Sequence, residues 1–454
     1  MGSSNCISLF IFFLISFNSL YLSSSANEKN HAKKTSILDN SFSLSFPLTS
    51  ASLSSRTKKK TQNAINNEKV VQAQPSTYDY KSFFKYSMAL IVSLPIGTPP
   101  QSQQMVLDTG SQLSWIQCHK KSSTPNNALP PPPTTTFDPS LSSSFSLLPC
   151  INPICKPRIP DFSLPTSCDQ NRLCHYSYFY ADGTYAEGNL VREKITFSSS
   201  QSTPPLVLGC ATESSEDKGI LGMNLGRLSF ASQTKLQKFS YCVPVRQGQG
   251  NIMATGGFYL GQNPNSNTFQ YISLLTFPES QRMPNFDPLA YTIGLVGVTI
   301  GTKKLNISES VFRPDAGGSG QTIIDSGTQY TFLVDEAYNK IREEVVRLAG
   351  PKLKKGYVYG GSLDMCFDGN PTEIGPLIGD MVLEFEKGVE IFVNKERIMD
   401  DMGDGVTCLG IGRSQSLGVA SNIIGNFHQQ NLWVEFDLAN RRVGFGKADC
   451  SKSF

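Results

Sequence analysis

Apolar residues along this chain fall into short runs broken by turn residues, and long helical stripes are rare. From Tyr86, "YSMALIVSLPIGTPPQSQQMVLDTGS" places two strand-like apolar runs on either side of Gly-Thr-Pro-Pro, a strong turn signal. "HYSYFYADGTYAEGNLVREKITF" alternates aromatic and polar positions around Asp-Gly-Thr, which predicts a β-hairpin with a mobile tip. "KGILGMNLGRLSF" is a buried apolar run reaching Gly222. A second series then repeats the order of parts. "AYTIGLVGVTIGTKKL" is strand-rich, "GQTIIDSGTQYTFL" drives a second acid out of an apolar run, and "SNIIGNFHQQNLWVEFDLANRRVGFG" sets two apolar residues before Gly425. One segment breaks the pattern. Val334, Tyr338, Ile341, Val345 and Leu348 recur at helical spacing, which predicts a core helix with one buried stripe. The expected fold class is all-β, with a few short helices.

An acid pushed from an apolar run into a tight turn of small residues has two readings. It caps a strand end, or it is half of a pair. Here the pattern apolar–apolar–Asp–Thr/Ser–Gly–Ser/Thr occurs twice, at Asp108 and Asp325, and each copy is followed by apolar–apolar–Gly. If the halves face each other, the two carboxylates meet. Carboxylates that close share one proton and titrate as a pair. The ionised one can take a proton from a water, and the neutral one can donate to a carbonyl oxygen, which is general acid–base hydrolysis of an amide. Gly110 and Gly327 let the backbone pack tightly and aim its N–H groups at the carboxylates. Ser111, Thr328, Thr109 and Ser326 supply hydroxyls that fix the pair.

Composition bounds the rest. With 454 residues the chain exceeds one ordinary core, so two lobes with accessory segments are expected. Leu9 to Leu20 is nearly continuous apolar sequence followed by small residues, and residues 1–26 read as a secretory signal, the alternative being an anchor. The net charge of +3 is local: residues 27–80, a propeptide or flexible leader, hold eight basic and four acidic residues, so charge gives no case for a nucleic-acid surface on the body. Of 11 cysteines, Cys6 leaves with the signal, and an even remainder in an exported chain predicts disulfides. The spacings at Cys150/Cys155 and Cys168/Cys174 are looser than common zinc spacings, so no metal is expected. Asn306 opens Asn-Ile-Ser, a glycosylation acceptor pattern. Residues 119–175, with the Pro130–Pro133 run and four cysteines, read as a stapled surface insertion within an N-terminal lobe of 81–284, and 285–454 form the C-terminal lobe.

The two triplets, the hairpin and the two apolar–Gly elements resemble a pepsin-like aspartic endopeptidase. The cysteine-rich insertion after "SWIQC", with "GCATESSEDKGILGM", "KFSYCVP" and "IIGNFHQQN", is similar to the plant nepenthesin-type branch. The resemblance covers about residues 80–454. It implies a bilobal, pseudo-twofold β fold with a long cleft for an extended peptide, and catalytic roles for Asp108 and Asp325. The flap tyrosine falls on Tyr180, with Asp182 and Gly183 at the tip and Trp115 as hydrogen-bond partner. The implied disulfides are Cys118–Cys210, Cys150–Cys155, Cys168–Cys174, Cys242–Cys450 and Cys366–Cys408. Two departures stand out: one family cysteine pair is missing, and Ala181 sits where the flap usually has Gly.

No cofactor is expected. A peptide or protein substrate is, handled by a monomer with no membrane anchor once the signal is removed, in the secretory pathway and outside the cell, with the endoplasmic reticulum or vacuole as alternatives. Acid pH and apolar residues at the scissile bond are expected. The rival of the same fold is an inhibitor or binding protein with a dead cleft. Such relatives usually damage a triplet or the flap tyrosine, and both triplets and Tyr180 are intact. A serine hydrolase lacks its Gly-x-Ser-x-Gly elbow, and a zinc hydrolase its His-Glu-x-x-His.

Overall fold

The computed structural model describes residues 43–51, 88–118, 136–156, 164–246, 255–277 and 283–452. The expected signal and the Pro130–Pro133 run lie outside them. Strands β2 (Ala89–Ile96) and β3 (Gln101–Asp108) pair antiparallel, Ile91 opposite Val106 and Ile96 opposite Gln101. The turn between them needs its glycine. Gly97 has φ +94°, a region costly for any residue with a Cβ, and a Cβ there would also meet Ser142 Oγ at 3.0 Å.

The 15-stranded sheet joins both ends of the chain. The strands Leu432–Asp437 and Arg442–Lys447 lie in it beside Lys238–Cys242, and through Thr255–Gly261 it continues to β2 and β3. Between Thr255–Gly261 and β2 lies β1 (Ser43–Ala51), inside the segment read as a leader. Leu44, Phe46 and Leu48 alternate along it, the first two half-buried against the core and Leu48 fully buried. The Ser- and Lys-rich composition of that segment hid a short strand of period two.

The duplication read from the sequence is a duplication of sheet topology. In the first half, β3 lies parallel to Gly219–Gly222. That strand meets β4 (Trp115–Gln117) antiparallel at Ile220–Trp115, and β4 lies parallel to Leu206–Ser214. In the second half, Thr322–Ile324 lies parallel to Asn422–Ile424. That strand meets Thr331–Leu333 antiparallel at Phe332–Ile423, and Thr331–Leu333 lies parallel to Ile411–Arg413. Each half thus presents the same four-strand unit, and the molecule is a bilobal pepsin-like β fold.

Helices are few. Helix α1 (Phe230–Thr234) is capped by Ser229, and α3 (Pro371–Ile378) by an Asn370/Glu373 capping box. Helix α2 (Asp335–Ala349) buries Tyr338, Ile341 and Val345, as the spacing predicts, with Val334 as its N-cap and Leu348 half-buried. It also buries Glu344, whose carboxylate accepts from Arg347 and from Lys303 Nζ at 2.5 Å; these bonds hold it down at about 2. Among the described residues no helix is long and apolar enough to cross a membrane.

The disulfides Cys118–Cys210, Cys242–Cys450 and Cys366–Cys408 are present. The insertion differs from expectation. Cys150 pairs with Cys168 and Cys155 with Cys174, in place of Cys150–Cys155 and Cys168–Cys174. The cause is tertiary. Residues 148–155 lie alongside the hairpin of Thr166–Cys168 and Cys174–Phe179: Cys174 N donates to Leu148 O at 2.8 Å, Cys150 N to Arg172 O at 2.9 Å, and Thr166 Oγ1 to Cys155 O at 2.7 Å. Each cysteine therefore sits nearer one from the other segment than its neighbour in sequence would suggest.

Candidate active site

Asp108 ends β3 and Asp325 follows Thr322–Ile324, so each carboxylate leaves the carboxyl end of a strand whose neighbour is parallel. Both are 7% exposed. Within each loop the same bonds recur. Gly110 N donates to Asp108 Oδ1 and Gly327 N to Asp325 Oδ1, each at 2.9 Å. Ser111 Oγ donates to Asp108 Oδ2, and Thr328 Oγ1 to Asp325 Oδ2 at 2.6 Å.

The loops also grip each other. Thr109 N donates to Ser326 Oγ at 3.1 Å, and Ser326 N donates to Thr109 Oγ1 at 2.9 Å. Ser326 Oγ in turn donates to Leu107 O at 2.7 Å, and Thr109 Oγ1 lies 3.4 Å from Asp325 Oδ1. Each loop's glycine faces the other loop's acid: a Cβ on Gly110 would sit 2.9 Å from Asp325 Oδ2, and one on Gly327 would collide with Asp108 Oδ1. Glycine here permits the close approach of two loops.

Burial first, and the charge of Asp325 second, hold the Asp108 carboxyl well above the usual range. Among the described residues no cation pairs with either aspartate. The only His, Cys, Asp or Glu grouping among them with metal-like proximity is Cys150, Cys155 and Cys168, all consumed in disulfides.

The hairpin Cys174–Phe179/Tyr185–Glu193 carries Tyr180 and its tip. Tyr180 Oη accepts from Trp115 Nε1 at 2.6 Å. Trp115 is 1% exposed, so it meets the site through Tyr180 and does not itself line the cleft. At the tip, Asp182 Oδ1 accepts from Thr184 N at 2.9 Å and from Thr184 Oγ1 at 2.7 Å, and Gly183 takes φ +82°. Burial holds the Asp182 carboxyl above its usual value.

Several residues of the site escaped the sequence reading. Tyr178 packs edge-on against Tyr180, ring centroids 4.9 Å apart, and lies against Ser111 and Gln112. The alternation in "HYSYFY" was its signal, since period two places Tyr176, Tyr178 and Tyr180 on one face. Asn224 Nδ2 donates to Gly110 O at 3.2 Å and Asn426 Nδ2 to Ser326 O at 2.9 Å. Their signal was an asparagine soon after each apolar–Gly element. Tyr241 Oη donates to Gln429 Oε1 at 2.7 Å, and Gln429 Nε2 donates to Asp325 O at 3.2 Å, a buried prop that no local pattern announces.

Comparisons with known proteins agree with this geometry. Residues 90–257 match the family model described as xylanase inhibitor N-terminal, and 290–447 the one described as xylanase inhibitor C-terminal. The aspartic proteinase PCS1 of Arabidopsis thaliana is 37% identical over 399 residues, 82% of this chain and 84% of that protein. The aspartic proteinase nepenthesin-1 of Nepenthes gracilis is 33% identical over 80% of this chain and 78% of its own. Among solved structures, edgp superposes with a TM-score of 0.59 at 18% identity, covering 89% of this chain and 95% of its own. Basic 7S globulin from soybean does so with 0.58 at 16%, covering 91% and 99%. Both family models are matched in order, and relatives of this identity span most of the chain: it belongs to the plant branch of the pepsin-like aspartic protease family.

Proposed function

We propose that this chain is an endopeptidase in which Asp108 and Asp325 share one proton and activate a water between them. The ionised carboxylate takes a proton from the water as its oxygen attacks the scissile carbonyl. The protonated carboxyl donates to the carbonyl oxygen as charge develops there. Collapse of the tetrahedral intermediate breaks the C–N bond, and a proton passes to the leaving nitrogen. Tyr180, held by Trp115, closes over the peptide and excludes water. A singly protonated pair is the working form, so activity falls in the acid range. Leu225, 42% exposed and following Asn224, which bonds the Asp108 loop, favours apolar side chains beside the scissile bond.

The observation that carries this reading is the cross-bonded pair of aspartate loops, buried and free of any cation among the described residues. A second reading has one support: the matched family models carry an inhibitor's description. Intact triplets and Tyr180 weigh against a dead cleft. We further propose secretion, maturation by loss of the leader, a monomeric state, and glycosylation at Asn306, which is exposed in a loop.

The test is hydrolysis of an unstructured protein from pH 3 to 7, with and without pepstatin, by wild type, Asp108→Asn and Asp325→Asn, each shown folded by circular dichroism. Acid-range cleavage that pepstatin blocks and both variants lose is expected. Folded wild type without cleavage supports the binding-protein reading, and cleavage surviving in both variants overturns the assignment of the pair.

A further inference from the structure

Each aspartate loop is held by a buried asparagine, and the two asparagines hold their loops in the same way. Asn224 N donates to Ser111 O at 3.1 Å and Nδ2 to Gly110 O at 3.2 Å. Asn426 N donates to Thr328 O at 2.8 Å and Nδ2 to Ser326 O at 2.9 Å. What orients each amide differs. Asn224 Oδ1 accepts from Gly226 N at 2.8 Å, so the chain's own backbone fixes the amide behind Asp108. Asn426 Oδ1 accepts from Arg246 Nη2 at 3.2 Å, so a side chain from the other half of the molecule fixes the amide behind Asp325.

Arg246 is itself held from several sides. It follows the strand Lys238–Cys242 in the first half and reaches into the second. Its N–H donates to Gln430 Oε1 at 2.9 Å, and its guanidinium lies over the Phe427 ring, 5.2 Å from the centroid. Nη1 donates to Asp400 Oδ2 at 3.2 Å, an oxygen that also accepts from Tyr330 Oη at 2.8 Å. The arginine side chain is 13% exposed, so solvent screens its pair with Asp400 less than a surface pair. A guanidinium can only donate, so it fixes the Asn426 amide with Oδ1 toward itself and Nδ2 toward Ser326 O. The amide is neutral. The arginine can steady the loop through it without bringing its own charge into contact with the aspartates, where a cation would favour the doubly ionised pair.

We propose that Arg246 is a positioning residue for the Asp325 half of the pair, acting through the Asn426 amide; this rests on the peptidase reading above. Without the guanidinium, Asn426 Oδ1 loses its partner and the amide is free to turn. Ser326 O, in the residue after Asp325, then loses a fixed donor, and the aim of the Asp325 carboxylate loosens. The Asp108 loop keeps its support, because Gly226 N still orients Asn224. The two halves of the pair thus differ: one is steadied locally, the other by an ion pair that spans the halves.

The experiment is a double-mutant cycle read in kcat and KM for one cleaved peptide. Wild type, Arg246→Met, Asn426→Ala and the double variant are each shown folded by circular dichroism and assayed well below the urea transition. Cleavage by wild type that Asp108→Asn loses establishes the peptidase reading separately. Arg246→Met should lower kcat roughly tenfold and leave KM within about twofold, because the aim of a reacting group changes and the peptide's contacts do not. Asn426→Ala should lower kcat at least as far, and the double variant no further, since the arginine then has nothing to act through. A merely structural arginine would instead raise KM, and its effect would multiply with that of Asn426→Ala. Should Arg246→Met not fold, Arg246→Lys enters the same cycle: it keeps a cation beside Asp400 and lacks the planar fork that reaches Asp400 and Asn426 together. With the peptidase reading in hand, an unchanged kcat in the Arg246 variant, or losses that multiply in the double variant, overturns the inference. If folded wild type cleaves no peptide, the peptidase reading falls and this inference falls with it.

Discussion

Ser326→Ala and Thr109→Val test how the two aspartate loops hold each other. The Ser326 hydroxyl accepts from Thr109 N at 3.1 Å and donates to Leu107 O at 2.7 Å, and the residue is fully buried. Alanine leaves both a buried N–H and a buried C=O without that partner. An orphaned buried polar group costs about 1–3 kcal/mol, so Ser326→Ala should cost roughly 2–6 kcal/mol. Thr109→Val keeps the side-chain shape, orphans the Ser326 N–H that Thr109 Oγ1 accepts at 2.9 Å, and removes only a long donation at 3.4 Å to Asp325 Oδ1, which keeps its bond from Gly327 N. It should cost about 1–3 kcal/mol, roughly half as much. Urea unfolding at fixed pH reads both, with the slope unchanged from wild type so that the midpoint reports stability. Hydrolysis measured well below the transition should fall in both variants by more than the unfolded fraction explains, because the loops aim the carboxylates. Equal costs for the two substitutions, or a cost below about 1 kcal/mol for Ser326→Ala, would refute the reasoning.

Three further outcomes follow from the same structure. Burial and Asp325 raise the Asp108 carboxyl, so ionising it costs the folded state; the cost is absent below the ordinary carboxylate range and grows as pH rises through it. Asp108→Asn should therefore raise Tm more at about pH 8 than at about pH 4, and thermal scans showing an equal gain at both would contradict this. Glu344 has the opposite sign: its carboxyl is held at about 2, mainly by Arg347, and its stabilisation is lost as pH falls toward that value. Glu344→Gln should be destabilising in urea at about pH 6 and clearly less so at about pH 2.5, where the folded carboxyl has begun to protonate. Cys242–Cys450 closes a separation of 208 residues and Cys155–Cys174 one of 19. On chain-entropy grounds, replacing the first pair by serine should cost about 5 kcal/mol and the second about 3, and guanidinium unfolding giving the reverse order would refute that account.

Local patterns marked several elements of this chain. Alternation around Asp-Gly-Thr marked the hairpin, helical spacing from Val334 to Leu348 marked α2, and the repeated Asp–Thr/Ser–Gly–Ser/Thr marked the two loops. These are short-range properties: a strand buries every second residue and a helix every third or fourth, and a tight turn before a close contact needs glycine. The reading went furthest where a pattern occurred twice in the same order, because that repetition is the four-strand unit of each half.

Only the tertiary structure decided which distant groups meet. That β1 enters the sheet depends on the edges offered by Thr255–Gly261 and β2, which composition does not reveal. The pairing of Cys150 with Cys168 depends on 148–155 lying along a hairpin, not on the spacing of its cysteines. The prop from Tyr241 through Gln429 to Asp325, and the link from Arg246 through Asn426 to Ser326, join residues that no periodicity relates. The sequence determined that two acids would each leave a strand in a tight turn. How close they come and what holds them depend on contacts between segments far apart in the chain, and those contacts exist only once the halves have packed.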